Sequence, residues 1–296
     1  MQMDNKIIGL IELARLDKPI GIYLLLWPAL LGLLLAGIQS ESINFINYII
    51  VIIGSVLVRS CGCVINDISD FKIDKLVART VGRPLATGSV TIIEAWVFFI
   101  ILSVLSLSLL IFTNPLTLKI SLFFGLLIVF YPLTKRFFPA PQFILGITFG
   151  SASLIAYSLQ SSIFSFSLMI LYLGVIAWII SFDTFYALED MEDDIKININ
   201  STAILWGDNA IKYAHILHLV FYVSLLILAI INQFSFYFFF IFLVLVGLYF
   251  YQKKYDKSRA FYSDTFAVNA TKYWNCAKWR NLKHQKFHMA GENFKA

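Results

Sequence analysis

Asn66, Asp70 and Asp74 follow one another at intervals of four residues, where a long apolar run ends. In a helix, side chains four residues apart lie on the same face, about 6 Å apart along the axis. If the helix continues through this segment, the three side chains form one row of oxygen ligands. Like charges at this spacing destabilise a helix, so the row predicts a compensating cation.

A second acidic group, which includes Asp183, Asp190 and Asp194 at spacings of seven and four, lies at the end of another apolar run. These spacings also place the three carboxylates on one helical face. Neither group contains His or Cys, and hard oxygen ligands favour Mg²⁺, which keeps waters and commonly bridges to substrate phosphates. We therefore predict that each group holds Mg²⁺ against one side of a diphosphate.

Basic residues accompany the acids, as the binding of an anion would require. Arg59 lies within an apolar run, seven residues before Asn66. A buried arginine is costly in a membrane and usually faces a cavity or a partner, although snorkelling to the membrane surface would also account for it. Four further cations lie in connections, where they can hold phosphate oxygens: Arg79, Arg83, Lys135 and Arg136.

The elements that must position these side chains are membrane helices. Of 296 residues, 59% are hydrophobic and 14% are charged, whereas a soluble domain is nearer half apolar and a quarter charged. Several runs have roughly the 20 apolar residues that cross a bilayer, without the alternation of barrel strands. The fold class is therefore predicted to be all-α, a polytopic bundle of about eight transmembrane helices. The runs cover residues 20–37, 46–65, 92–112, 118–134, 143–160, 163–182, 213–231 and 235–251.

The short connections indicate how the helices are oriented. The N-terminal segment and the connections after the second, fourth and sixth runs carry Lys or Arg, whereas the opposite connections carry none. Because positively charged connections remain in the cytoplasm, both acidic groups are predicted at cytoplasmic helix ends. They therefore share one side of the membrane and one depth.

Two other interpretations remain open on the residues alone. The acids could merely keep the connections hydrated, although two groups with matched spacing, depth and side argue against this. A transporter of cations or phosphate compounds could also place acids in a membrane, but it would favour single acids within helices and a polar path to the far side. The cysteines support neither a disulfide framework nor a metal site, and Cys61 and Cys63 are interpreted as packing residues.

The excess of positive charge lies in the last part of the chain. Residues 252–296 hold ten Lys or Arg against three Asp or Glu. No stretch of this segment is long and apolar enough to span a membrane. We predict a basic polar tail after a transmembrane domain that covers residues 1–251. No recognised nucleic-acid motif accompanies the charge, so a nucleic-acid partner is not predicted.

The sequence also resembles the UbiA family of intramembrane aromatic prenyltransferases. "NDISDFKID" at 66–74 matches the first Asp-rich motif of that family, and "DMEDD" at 190–194 matches the second. The segments at 15–28 and 201–207 resemble the 4-hydroxybenzoate branch in particular. The further matches are "RLDKPIGIYLLLWP" at 15–28, "RTVGRPLATG" at 79–88, "YPLTKR" at 131–136, "PQFILGITFG" at 141–150 and "STAILWG" at 201–207.

The resemblance implies an all-helical fold, usually of nine membrane helices around a central cavity that opens sideways to lipid. The predicted tail departs from this pattern, because family members usually continue into a last apolar helix. The implied reaction is Mg²⁺-dependent transfer of a polyprenyl group from polyprenyl diphosphate to 4-hydroxybenzoate, in ubiquinone biosynthesis. Naphthoate, haem and homogentisate are alternative acceptors. The implied location is the bacterial inner membrane, with the bilayer as a partner and the active site on the cytoplasmic side.

Motif positions also imply residue roles. The metal ligands would be Asn66, Asp70, Asp74, Asp190 and Asp194, and the four acids would be catalytic together with Arg136. The substrate-binding residues would be Arg15, Arg59, Arg79, Arg83, Lys135 and Arg136. Among these, Lys135 and Arg136 would contact the diphosphate, and Arg15 or Arg59 would bind the carboxylate of the acceptor or another anionic group. Asp67, Asp183 and Asp193 would lie behind the ligands, and Tyr131, Tyr157 and Tyr186 are candidate cavity residues.

Overall fold

The structure is a computed structural model that describes residues 2–76 and 80–255. In this part of the chain the regular structure is helical, and it contains no β-strand. Two predictions concern residues outside these ranges. Arg79 and residues 256–296, which make up nearly all of the predicted tail, lie outside the described residues.

Eleven α-helices follow one another along the described chain, with short 3₁₀ turns at Leu109–Phe112 and Gly207–Asn209. Each of the eight apolar runs forms one of the long helices. The helices are α1 (Gln2–Leu13), α2 (Ile20–Ser40), α3 (Phe45–Asp70), α4 (Pro84–Thr87), α5 (Ile92–Ser108), α6 (Pro115–Thr134), α7 (Pro141–Ser158), α8 (Phe166–Lys196), α9 (Thr202–Trp206), α10 (Ala210–Ile231) and α11 (Phe236–Tyr255).

Six helical segments of the described chain are long and apolar enough to cross a membrane. They contain α2, α3, α5, α6, α8 and α10, whereas α7 and the apolar part of α11 are shorter or less apolar. The predicted all-α transmembrane class is therefore confirmed. The prediction of about eight spans corresponds to eight long helices, six of which meet the length and apolarity of a span.

Polar caps set the starts of the long helices. At the start of α3, Oδ1 of Asn44 accepts a hydrogen bond from the amide of Ile46 at 3.0 Å. Asn114 and Ser165 cap α6 and α8 in the same manner. Each cap satisfies an amide that the helix itself leaves without a partner. Both α3 and α8 begin at such a cap, and both carry their acidic residues toward the opposite end of the helix.

The centre of the bundle is held by helices that approach one another closely. α2 packs on α7, and α8 packs on both α7 and α10. A Cβ atom on Gly32 of α2 would lie 2.1 Å from the carbonyl oxygen of Ser153 on α7. A Cβ atom on Gly174 of α8 would lie 1.9 Å from Oγ of Ser224 on α10. Small residues permit such contacts between membrane helices, where van der Waals packing drives association.

The outer helices expose apolar side chains where a soluble protein would expose polar ones. Val97 and Val104 on α5, and Phe123 and Leu126 on α6, are each more than half exposed. Continuous apolar surface of this extent marks contact with a membrane or a partner. Here it surrounds helices of spanning length, so it is the surface that meets lipid.

We expect Gly32→Ala to destabilise the protein by about 1–3 kcal/mol, because the new methyl group would overlap a backbone carbonyl that cannot rotate away. Thermal unfolding in detergent measures the change. Gly125→Ala on α6 is the matched control, since a Cβ atom at Gly125 meets no atom within 4 Å. Equal unfolding temperatures for the two variants would contradict this account of the α2–α7 contact.

Candidate active site

Both acidic groups line one cavity of about 400 Å³, enclosed mainly by α2, α3, α6, α7 and α8. The first group supplies Asn66, Asp70 and Asp74, and the second supplies Asp183, Asp190 and Asp194. The structure therefore brings together two stretches of sequence that lie more than a hundred residues apart. Oxygen ligands face this space from α3 and from α8.

The first group keeps its helical spacing although α3 ends at Asp70. The amide of Asp74 donates to the carbonyl oxygen of Asp70 at 2.8 Å, which is the hydrogen bond of one further helical turn. The chain thus continues as a turn rather than as a regular helix, and the row of three side chains is preserved. Asn66, Asp70 and Asp74 all face the cavity.

The segment after α8 closes one wall of the cavity. The amide of Ile199 donates to the carbonyl oxygen of Asp194 at 2.9 Å, and the amide of Asn200 donates to that of Lys135 at 3.0 Å. At the start of α9, the amide of Thr202 donates to Oε1 of Gln142 at 2.9 Å. These bonds tie the segment after the second acidic group to Lys135 at the end of α6 and to the start of α7.

Asp67 is the centre of an ion-pair network at the cavity. It is 1% exposed, and both of its carboxylate oxygens accept from Nη2 of Arg15 at 3.0 Å. Nη1 of Arg83 donates to Oδ1 of Asp67 at 3.0 Å and to the two oxygens of Asp74 at 3.0 and 2.8 Å. The predicted position of Asp67 behind the ligand row therefore corresponds to a defined contact: Asp67 holds two arginines.

The charge of Asp74 depends on a nearby cation. Burial raises the pKa of this carboxyl above its ordinary value, and the guanidinium of Arg83 offsets only part of the rise. Desolvation disfavours the ionised form, whereas an adjacent positive charge favours it. A metal ion could supply the same compensation as Arg83.

The two cations of the connection between α6 and α7 are placed differently. Lys135 lines the cavity, and its ammonium group is paired with Oδ2 of Asp70. Arg136 is exposed, and its Nη2 donates to the carbonyl oxygen of Ser69 at 2.6 Å. Arg136 is not among the residues that line the cavity, so the structure places it beside the site rather than within it. Its contact with a diphosphate stays a prediction.

Arg59 faces the cavity, as its interpretation as a cavity residue predicts. Its Cζ atom lies 5.4 Å from the centre of the Phe149 ring, a cation–π distance. Gly21 of α2 makes room for it, because a Cβ atom there would lie 2.3 Å from Nε of Arg59. Nε is buried without a hydrogen-bond partner among the described residues. A ligand that accepts hydrogen bonds would satisfy it.

Two of the three candidate tyrosines line the cavity, namely Tyr131 and Tyr186. The prediction for Tyr157 is wrong, because its hydroxyl donates to Oε1 of Gln39 at 2.6 Å near the other end of α2. Tyr157 lies sixteen residues after Pro141 on α7, which corresponds to a rise of about 24 Å from the cavity end. The aromatic lining comes instead from Phe149 and Phe182 with the two tyrosines.

Asp193 also lies apart from the cavity lining. Its Oδ1 atom accepts from Nζ of Lys196 at 3.0 Å, an i,i+3 pair on α8 in which the lysine is largely exposed. Asp190 and Asp194 of the same helix line the cavity. Because Asp193 is only three residues from Asp190, the helical period alone does not distinguish it from the residues that line the cavity.

Polar residues that sequence reasoning did not single out also line the cavity. Gln142 and Ser201 belong to segments that carry the family resemblance, so a signal was present for them. Asn200 had no such signal, since only the fold of the segment after α8 brings it to the cavity. The full set is Lys18, Thr80, Gln142, Thr148, Asn200 and Ser201.

The donor atoms suit a hard cation that keeps water and substrate ligands. Oδ1 of Asp70 is buried and has no hydrogen-bond partner among the described residues. Within the described chain, no three His, Cys, Asp or Glu side chains are close enough to hold a metal ion unaided. A site here would need the Asn66 amide oxygen, waters and phosphate oxygens to complete it. This is the mode in which Mg²⁺ usually binds with a phosphate substrate.

Comparison with known proteins identifies the family of the chain. The model of the UbiA prenyltransferase family matches residues 25–275. The chain belongs to the UbiA prenyltransferase family. The predicted division into a domain at 1–251 and a separate tail stays a prediction, and the family match extends beyond that boundary.

Two curated relatives of this chain have the same activity in their names. The 4-hydroxybenzoate octaprenyltransferase of Saccharophagus degradans is 46% identical over 197 residues, which are 67% of this chain and 65% of that protein. The 4-hydroxybenzoate octaprenyltransferase of Shewanella loihica is 40% identical over 207 residues, 70% of this chain and 72% of that protein. The match with this chain thus spans about two thirds of the length of these relatives.

Solved structures share the fold. A UbiA homologue from Aeropyrum pernix superimposes with a TM-score of 0.69 at 22% identity, over 89% of this chain and 98% of that one. A UbiA homologue from Archaeoglobus fulgidus, bound to DMAPP and Mg²⁺, gives a TM-score of 0.66 at 16% identity, over 92% and 96%. At these identities the likeness establishes the architecture, a UbiA-type helical bundle.

Proposed function

We propose that this chain transfers a polyprenyl group from polyprenyl diphosphate to the ring of 4-hydroxybenzoate, as a step of ubiquinone biosynthesis. The observation that carries the proposal is the meeting of two acidic groups in one cavity, with cations beside them and an arginine deeper inside. The names of the curated relatives support the choice of acceptor. The charge of the connections supports a cytoplasmic active site in a bacterial inner membrane.

The diphosphate end of the cavity lies between α3 and α8. Asn66, Asp70 and Asp74 would hold Mg²⁺ on one side, and Asp190 and Asp194 would hold it on the other. The homologue from Archaeoglobus fulgidus that is bound to DMAPP and Mg²⁺ supports the use of this fold to bind a prenyl diphosphate together with Mg²⁺. When bound, Mg²⁺ would stabilise the negative charge that develops on the leaving diphosphate.

The cations of the chain act on the same charge. Lys135 and Arg83 line the cavity beside the acids, where their N–H groups can donate to diphosphate oxygens. Arg79 and Arg136 are further candidates for this role. As the C–O bond of the allylic diphosphate breaks, the electron pair leaves with the diphosphate, and donors already in place stabilise it most effectively.

Aromatic side chains of the cavity suit the stabilisation of the allylic cation. The rings of Tyr131, Phe149, Phe182 and Tyr186 line the cavity and would exclude water from the allylic cation. Ring faces also attract positive charge. The ring of 4-hydroxybenzoate then attacks the cation ortho to its hydroxyl group, a C–C bond forms, and the displaced ring proton passes to a base in the site.

Arg59 is the better of the two candidates for the acceptor carboxylate. Arg15 already donates to both oxygens of Asp67. Arg59 forms no ion pair with a described residue, and its Nε atom is buried without a partner. An Arg–carboxylate contact would satisfy this donor and neutralise a charge that is costly within a membrane.

The proposed reaction can be tested in membranes that contain the protein, supplied with radiolabelled 4-hydroxybenzoate and a long-chain polyprenyl diphosphate. We expect a lipid-soluble product with Mg²⁺ and none with EDTA, because uncompensated charge on the diphosphate would oppose ionisation. Asp70→Ala or Asp190→Ala should lower turnover by at least about a hundredfold while the protein remains inserted, as expected for lost transition-state stabilisation.

Lys75→Ala is the control for these variants. Its ammonium group lies 4.4 Å from the centre of the Phe71 ring, and Lys75 is not among the cavity-lining residues, so its removal should change turnover little. Near-normal turnover of Asp70→Ala or of Asp190→Ala would count against the assignment of both acidic groups to the diphosphate.

Arg59→Gln should raise the KM for 4-hydroxybenzoate by about tenfold or more, because a charge-assisted hydrogen bond is lost. The KM for the polyprenyl diphosphate should change little. Gly21→Ala should act in the same direction, since its methyl group would displace the guanidinium of Arg59. A KM for 4-hydroxybenzoate that is unchanged in both variants would rule out Arg59 as the carboxylate ligand.

A further inference from the structure

The contact between Arg83 and Asp74 conflicts with the role that the proposed function gives to Asp74. Nη1 of Arg83 lies 3.0 and 2.8 Å from the two carboxylate oxygens of Asp74. A Mg²⁺ ion bound to either oxygen would lie about 2.1 Å from it. Guanidinium and metal would then be neighbouring like charges that compete for the same two oxygens, so each would weaken the binding of the other there.

Arg83 has a second anchor that does not conflict with a metal ion. The same Nη1 atom donates to Oδ1 of Asp67 at 3.0 Å. Asp67 lies one residue after Asn66, away from the four-residue spacing that defines the ligand row. It also carries Arg15, so two guanidinium groups already satisfy its carboxylate.

The remaining donors of Arg83 are uncommitted. Nη2 and Nε make no hydrogen bond to a described residue, although Arg83 lines the cavity. Its backbone is fixed, because the amide of Arg83 donates to the carbonyl oxygen of Thr80 at 3.0 Å. The hydroxyl of Thr80 donates in turn to that of Asp74 at 2.9 Å. A change of partner therefore requires only a rotation of the Arg83 side chain.

We propose that Arg83 is a replaceable counter-ion of Asp74. In the absence of metal, Arg83 compensates the buried charge of Asp74. When the metal and the diphosphate bind, Arg83 leaves Asp74, remains on Asp67 and donates its free N–H groups to a diphosphate oxygen. Asp67 is then a positioning residue, whose function is to retain Arg83 at the cavity. This inference rests on the proposed function, since it assumes that Asp74 becomes a metal ligand.

The exchange can be measured without turnover, on the full chain purified in detergent, with Mn²⁺ as an EPR-visible substitute for Mg²⁺. Without diphosphate, Arg83→Gln should bind Mn²⁺ about five- to tenfold more tightly than the unsubstituted protein, because a competing ion pair is removed. Arg15→Gln is the matched control, since it makes the same charge change on Asp67 but does not contact Asp74. It should change Mn²⁺ affinity less than about twofold.

Binding of inorganic pyrophosphate at saturating Mn²⁺ tests the second half of the exchange. Arg83→Gln should weaken pyrophosphate binding by about tenfold, although it strengthens Mn²⁺ binding. Asp67→Asn should weaken it similarly, because Arg83 loses the anchor that holds it after displacement. The double variant should be no weaker than Arg83→Gln, since the two side chains act through one contact.

Three results would overturn the inference. They are equal tightening of Mn²⁺ binding by Arg83→Gln and Arg15→Gln, weaker Mn²⁺ binding by Arg83→Gln, and additive losses of pyrophosphate affinity in the double variant. The thermal unfolding temperature of each variant shows that it is folded. Asp190→Asn separates this inference from the proposed function, because Asp190 lies outside the Arg83 network. If Asp190→Asn and the unsubstituted protein bound Mn²⁺ equally, with or without pyrophosphate, the metal assignment itself would fail.

Discussion

Compensation of buried negative charge determines how the helix ends around the cavity are brought together. Asp67, Asp70 and Asp74 are all buried, and an uncompensated carboxylate in such a place is strongly unfavourable. The compensating cations come from three separate segments: Arg15 from the turn before α2, Arg83 from the start of α4, and Lys135 from the end of α6. The ion pairs therefore bring these segments to α3 and form the cavity wall.

The same requirement connects the structure to its proposed chemistry. Cations that neutralise the carboxylates lie where a diphosphate and its metal ions would need both kinds of charge. The network around Asp67 is thus compatible with two states, one neutralised by protein cations and one by metal. The bundle beneath it is held by close helix contacts at Gly32 and Gly174, which do not involve the charged residues.

Much of the fold could be predicted from the sequence, because the physical signals are local. Each apolar run forms a helix, and the four-residue spacing of Asn66, Asp70 and Asp74 continues as a helical turn beyond the end of α3. The period of α8 placed Asp190 and Asp194 toward the cavity. The length of an apolar run indicates which end of a helix a residue occupies, and the helical period indicates which face.

The contacts between segments could not be predicted in this way. The role of Asp67 depends on Arg15 and Arg83, which reach it from different connections, and Arg15 does so with a left-handed backbone at φ 57°. Arg136 turns to a backbone carbonyl outside the cavity, which the sequence does not distinguish from the inward position of Lys135. Tyr157 could have been excluded, because the helical rise carries it away from the acidic end.

The most direct test of the central claim is to locate metal and diphosphate in one structure. Crystals of the protein grown with Mn²⁺ and inorganic pyrophosphate would show the metal by anomalous scattering. The account predicts metal beside Asp70 and Asp74 and beside Asp190 and Asp194, with pyrophosphate between the two sites. Metal on one acidic group alone, or pyrophosphate bound outside the cavity, would contradict it.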